Sequence, residues 1–105
     1  MKNISTHTPV CPDCEGVRIS LLKFVKIQEI ILRKNDYKGG WKYMSLKQLR
    51  QRLKQEVNEL SKAIDKITKH TAPDIESECA DVANFAMMIS DNFNKHRITG
   101  AVRLT

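Results

Sequence analysis

The chain has 105 residues, 41% hydrophobic and 29% charged, with 18 Lys and Arg against 12 Asp and Glu and a formal net charge of +6. That is one small domain with a thin core, which favours self-association as a way to bury more surface. No apolar run approaches the ~18 residues of a membrane span, residues 1–7 lack the apolar centre of a signal peptide, and three cysteines form no even disulfide framework.

These exclusions make the cytoplasm the expected location, with no membrane partner. The basic balance favours anionic partners such as nucleotides, phosphates or nucleic acid, without choosing among them.

In chain order, residues 1–16 are punctuated by Pro9, Pro12 and Gly16 and read as an irregular N-terminal arm. The arm holds Cys11-Pro12-Asp13-Cys14, with His7 four residues before it. One Cys-x-x-Cys is half of a zinc site, and a pair of reduced thiols is the plainer reading. Residues 17–34 form the first expected helix, with Val17, Leu21, Leu22, Val25, Ile31 and Leu32 at helical steps and Phe24, Ile27 and Ile30 widening the apolar surface. Asn35 to Met44 break the pattern: Gly39-Gly40 is followed by Trp41 and Tyr43, with Lys38 and Lys42 beside them.

Ser45 and Gln48 make a capping box at the start of a second helix over residues 45–69, whose stripe is Leu46, Leu49, Leu53, Val57, Leu60, Ile64 and Ile67. After the turn at His70–Pro73, Thr71 is a candidate cap and Asp74 complements the helix dipole of a third helix over residues 73–94. Its stripe is Ile75, Cys79, Val82, Ala86, Ile89 and Phe93, and residues 95–105 are a C-terminal tail of undecided structure. No strand stands out. The expected class is all-α, with residues 17–94 forming one helical domain of three main helices, packed into a four-helix-type bundle by oligomerisation.

Each of the last two helices carries an acid pair, Glu56 with Glu59 and Glu78 with Asp81. With Leu46 at zero, Glu56 falls at about 280° and Glu59 at about 220°, against a stripe centred near 340°. With Ile75 at zero, Glu78 falls at about 300° and Asp81 at about 240°, against a stripe centred near 0°. Helices packed antiparallel through a short turn therefore bring both pairs to one groove. Carboxylates gathered there raise one another's pKa or require a cation, and an all-oxygen set suits Mg2+, with Mn2+ as a substitute, rather than Zn2+. Solvated faces explain many such acids, and Arg52 with Glu56 or Lys62 with Glu59 offer ordinary ion pairs worth roughly 0.2–0.5 kcal/mol each.

Glu56-x-x-Glu59, eighteen further residues, then Glu78-x-x-Asp81 resembles the signature of the MazG-like all-α nucleoside triphosphate pyrophosphohydrolases and their dimeric dUTPase relatives. The resemblance includes Trp41 upstream, the run from Leu49 to Leu60, and Asp81-Val82-Ala83-Asn84-Phe85; it covers about residues 38–92. It implies a homodimer or homotetramer that hydrolyses a nucleoside triphosphate to the monophosphate and pyrophosphate. Glu56, Glu59, Glu78 and Asp81 would be both metal ligands and catalytic groups, with Glu59 or Glu56 also orienting the water. Gln55 stands where many members carry another Glu, and the number of metal ions is left open on that account.

Trp41, Lys42 and Asn84 are the expected substrate-binding residues. Trp41 is a stacking surface for a base or a cap on the bundle end. Lys42 is a phosphate contact, and Lys38 reads more readily as a solvated loop lysine. Asn84, in an apolar stretch, needs a polar partner in any case. Cys79 and Met87-Met88 read as core or subunit contact. Competing functions are a small basic module that binds nucleic acid and a purely structural oligomerisation module without catalysis. The enzyme reading does not expect a nucleic-acid partner.

Overall fold

A computed structural model describes residues 10–99, which are mostly helical. The arm is the first departure from expectation. Val10–Cys11 (β1) and Val17–Arg18 (β2) form an antiparallel hairpin around a 3-10 turn at Pro12–Cys14. Strands of two residues show no alternation to read, and the pairing depends on Glu15 and Gly16 both taking positive φ, 56° and 82°. The first helix, α1 (Ile19–Lys34), starts two residues later than expected because Val17 and Arg18 belong to β2. His7 and the rest of residues 1–9 lie outside the described residues, as do residues 100–105 of the expected tail.

The second helix, α2 (Leu46–Asp65), begins as its sequence dictates. Gln48 N–H donates to Ser45 Oγ at 3.0 Å, and Ser45 N–H donates to Gln48 Oε1 at 2.8 Å. It ends four residues before Lys69. Thr68 Oγ1 accepts from the N–H groups of both His70 and Thr71, and Thr68 N–H donates to the Thr71 carbonyl. This local turn competes with helix continuation, and Ile67, half-exposed, gains little burial from continuing the helix.

The third helix, α3 (Ile75–Thr99), is capped by Asp74 rather than Thr71. Asp74 Oδ1 accepts the Ser77 N–H at 3.1 Å and Oδ2 accepts the Ser77 hydroxyl at 2.8 Å. The helix runs past Asn94 and takes up the first residues of the expected tail.

α3 is the central element: it packs along α2 most extensively and along α1 on another side, while α1 and α2 have little direct contact. This arrangement reorients the expected stripes. On α2 the buried positions are Leu49 and Ala63, while Val57 and Ile64 are 47% and 51% exposed. The packed face is thus turned by about 60° from the apolar stripe, towards the acids. On α3 the buried positions are Ala80, Asn84 and Asn92, whereas Phe93, from the expected stripe, is 42% exposed. A helix gripped from two sides packs on its narrow residues, because Ala and Asn let neighbouring helices approach. Among the described residues only Leu49, Ala63 and Ala80 are buried apolar side chains, and no helix is long and apolar enough to cross a membrane.

Candidate metal and phosphate site

The turned face of α2 draws Glu56 into the seam with α3. Glu56, Glu78 and Asp81 each offer a carboxylate oxygen, and these oxygens lie within 4.8 Å of one another. All three side chains are half-buried. Glu59 is not part of this group: its side chain is 57% exposed and lies 4.0 Å from Lys62 Nζ, whereas the Glu56 side chain is 15% exposed. About 60° of helical rotation between them accounts for the difference.

The three acids carry raised pKa values for related reasons. Glu56 is raised first by burial and then by the charge of Asp81, with Arg52 opposing and Glu78 and Glu59 adding smaller repulsions. Glu78 is raised by burial, then by Asp81 and Glu59. Asp81 is raised by burial against the opposing pull of Arg52. Such a group resists losing its last protons unless a cation joins it. Its donors are all oxygen, half-buried and convergent, which fits a hard divalent ion and does not fit a thiolate-seeking one.

Glu56 and Asp81 also line a cleft of about 390 Å3. Its walls come from the end of α1 (Ile31, Leu32, Asn35), the loop from Asp36 to Met44, α2 through Arg52, and α3 through Asn84, Phe85 and Met88. The cleft therefore joins an acid seam, two cations, Lys38 and Arg52, and the rings of Trp41 and Phe85.

The loop wall is fixed from α3. Trp41 Nε1 donates to Asp91 Oδ2 at 2.9 Å, and Lys95 Nζ pairs with the same oxygen at 3.0 Å. The Trp41 hydrogen bond, followed by that from Lys95, holds the Asp91 carboxyl below the usual range. Buried Asn92 donates from Nδ2 to the carbonyls of Trp41 and Met44, at 2.7 and 3.0 Å. Trp41 is thus both a cleft wall and an anchor of the bundle end.

Asn84 does line the cleft, but its amide is engaged. It accepts from Gln28 Nε2 at 3.0 Å and donates to the Gln28 carbonyl at 3.3 Å, pinning α1 to α3. Lys42 is not among the lining residues; its Nζ sits 5.5 Å over the Tyr43 ring. Lys38 takes the lining position instead.

Arg52 is a cleft-lining residue that the sequence signalled only as an ion-pair partner. It lies 3.5 Å from Glu56, 5.1 Å over the Phe85 ring, and within hydrogen-bond reach of Gln55. Its place one turn before Glu56 was the available signal. That it faces the cleft depends on the orientation of α2.

Comparison of the chain with family models, curated proteins and solved structures finds no match.

Proposed function

We propose that the chain hydrolyses a nucleoside triphosphate to the monophosphate and pyrophosphate, using Mg2+ or Mn2+ held by Glu56, Glu78 and Asp81. The observation that carries this reading is the convergence of three carboxylates beside a cleft that also presents Lys38, Arg52, Trp41 and Phe85. Acids alone repel a triphosphate, and cations and rings alone describe many binding sites. Together they suit a ligand with a polyanionic end and a flat end.

A bound divalent cation supplies charge neutralisation at phosphorus and a lower pKa for water. The chain's own residues supply the rest. Lys38 and Arg52 attract and orient phosphate oxygens. Trp41, tethered by Asp91 and Asn92, and Phe85 offer surfaces to a base. Asn84 fixes the joint between α1 and α3 on which the cleft depends, and reaches a ligand only if Gln28 releases its amide. Glu59 lies outside the three-carboxylate group, and we assign it the orienting of the attacking water and acceptance of its proton.

By this reading the chain is a member of the MazG-like pyrophosphohydrolases, works in the cytoplasm and assembles as a homodimer or homotetramer. Exposed Leu21, Val25, Val57, Ile64 and Phe93 support the assembly, since they are apolar positions that a second copy would cover. Its test is the mass of the particle in solution by light scattering.

The test of the activity is a panel of ribo- and deoxyribonucleoside triphosphates with Mg2+ and Mn2+, scored for pyrophosphate. Release that disappears in Asp81→Asn, with helicity retained, is expected. Inorganic phosphate without pyrophosphate, or no turnover of any triphosphate, rejects the reading.

A second reading rests on α2, where Lys47, Arg50 and Lys54 share an exposed face at about 40–100° from Leu46, roughly opposite the acids. That face suits a nucleic-acid backbone. Steeply salt-dependent binding without triphosphate turnover is its signature.

A further inference from the structure

Arg52 touches three groups beside the acid seam, and each holds it differently. Its Nη2 lies 3.5 Å from Glu56 Oε2, its Nη1 donates to the Gln55 amide oxygen, and its guanidinium lies 5.1 Å over the Phe85 ring. Glu56 and Phe85 line the cleft, as does Arg52 itself. The guanidinium draws down the pKa of Glu56 and of Asp81, against the burial that raises both. It is therefore a positive charge felt by two of the three converging acids.

The three holds are unequal. A charge-assisted N–H···O bond is ordinarily about 2.7–2.9 Å long, so the 3.5 Å contact with Glu56 is a loose one. The Arg52 side chain is 46% exposed, and an exposed ion pair one helical turn apart holds weakly. Glu56 is the better buried of the two, and its carboxylate converges with those of Glu78 and Asp81. A divalent cation on that group carries twice the charge of the guanidinium and takes the carboxylate from it. The Gln55 oxygen and the Phe85 face are neutral and belong to no such group, so their hold on Arg52 survives the loss of Glu56. Arginine suits such an exchange, because its planar fork stacks on a ring while its edge still offers donors.

We propose that Arg52 exchanges partners: it gives up Glu56 to the divalent cation and turns the released Nη2 edge to a triphosphate oxygen, while Gln55 and Phe85 keep the guanidinium at the cleft. This rests on the metal-dependent nucleotide reading of the same site and adds an order of binding to it. While Arg52 and Glu56 satisfy each other, the guanidinium has less charge to offer a phosphate. Once Glu56 serves the cation, the guanidinium edge is released, and the triphosphate meets both positive charges. Cation and nucleotide are thereby coupled through one side chain, and coupling of this kind is reciprocal. Lys62 is the contrast: it lies 4.0 Å from Glu59, outside the three-carboxylate group, and takes no part in the exchange.

The experiment measures two affinities on the full chain. Mn2+ alone is titrated, with the free ion counted by electron paramagnetic resonance. Uncleavable α,β-methylene analogues of purine and pyrimidine nucleoside triphosphates are then titrated by calorimetry at saturating Mn2+. Arg52→Gln should tighten Mn2+ by about three- to tenfold, because a competing charge is gone. It should weaken the bound analogue by about tenfold or more, because a charged phosphate contact is gone. Arg52→Lys keeps the charge and should hold Mn2+ near the unsubstituted affinity, and Lys62→Gln should move neither value beyond about twofold. Circular dichroism melts establish that each variant is folded. Unchanged Mn2+ affinity in Arg52→Gln, tighter Mn2+ with unchanged analogue binding, or weakening of both overturns the exchange and leaves the metal site standing. An unsubstituted chain that binds no Mn2+ removes the metal site itself, and one that binds Mn2+ but no analogue removes the nucleotide; in either case the proposed function falls together with the exchange.

Discussion

Glu56 and Glu59 stand three residues apart on α2, as Glu78 and Asp81 do on α3. On α3 both members enter the seam, half-buried and with raised pKa values. On α2 only Glu56 enters, and Glu59 turns out to solvent beside Lys62. Spacing sets the angle between two side chains on a helix, but packing sets which of them faces inward. Because α2 rests on α3 through Leu49 and Ala63 rather than through Val57 and Ile64, its inner face is centred near Glu56 and Glu59 lies past the edge. The two pairs should therefore respond differently to substitution.

The largest effect is expected from removing the contact that turns α2. Leu49 is fully buried, and Leu49→Ala should destabilise the chain by about 2–5 kcal/mol. In so small a core that is a large part of total stability. Urea unfolding measures it, and a loss below about 1 kcal/mol would mean that the seam does not rest on this residue.

Next comes the proposed activity. Glu56→Gln and Asp81→Asn should each lower kcat for pyrophosphate release on the order of 100-fold or more, equivalent to roughly 2.7 kcal/mol. Glu59→Gln should lose about tenfold, with a changed pH profile, since it acts on water and is not a ligand. Equal losses at all four acids would erase the distinction between the pairs.

The metal-free chain offers a further contrast. A carboxyl whose folded pKa is raised contributes stability below its unfolded pKa and loses it as pH rises through the folded value. Glu56, Glu78 and Asp81 should therefore make the metal-free protein less stable as pH climbs through and just above the usual carboxylate range. Asp91, lowered by Trp41 and Lys95, works in the opposite sense: its contribution is present above the ordinary value and is lost as pH falls through its own. Glu56→Gln should raise the neutral-pH melting temperature without metal and weaken the rise produced by Mg2+, which follows from ligand linkage. Glu59→Gln should keep the Mg2+ effect. A melting temperature indifferent to Mg2+ in the unmodified chain would remove the metal site. The smallest effect is expected at Lys62→Ala, within about 0.5 kcal/mol, because an exposed pair at 4.0 Å is worth little.

The amino-acid sequence by itself determined three helices, the start of the second, the break between Asn35 and Met44, and the presence of acids able to meet. These are local properties: helical periodicity, the Ser45–Gln48 box and side-chain chemistry act within a few residues. It did not determine the hairpin, which depends on two positive φ angles in succession, or the end of α2, where Thr68 competes with the helix. Nor did it reveal that α3 packs through Ala80, Asn84 and Asn92, because that follows from being held between two neighbours. Only the tertiary structure replaced Lys42 with Lys38 at the cleft, brought Arg52 over Phe85, fixed Trp41 to Asp91, and separated Glu59 from the other three acids. Each of these depends on how one helix is rotated against another, which is set by the fit of side chains distant in sequence.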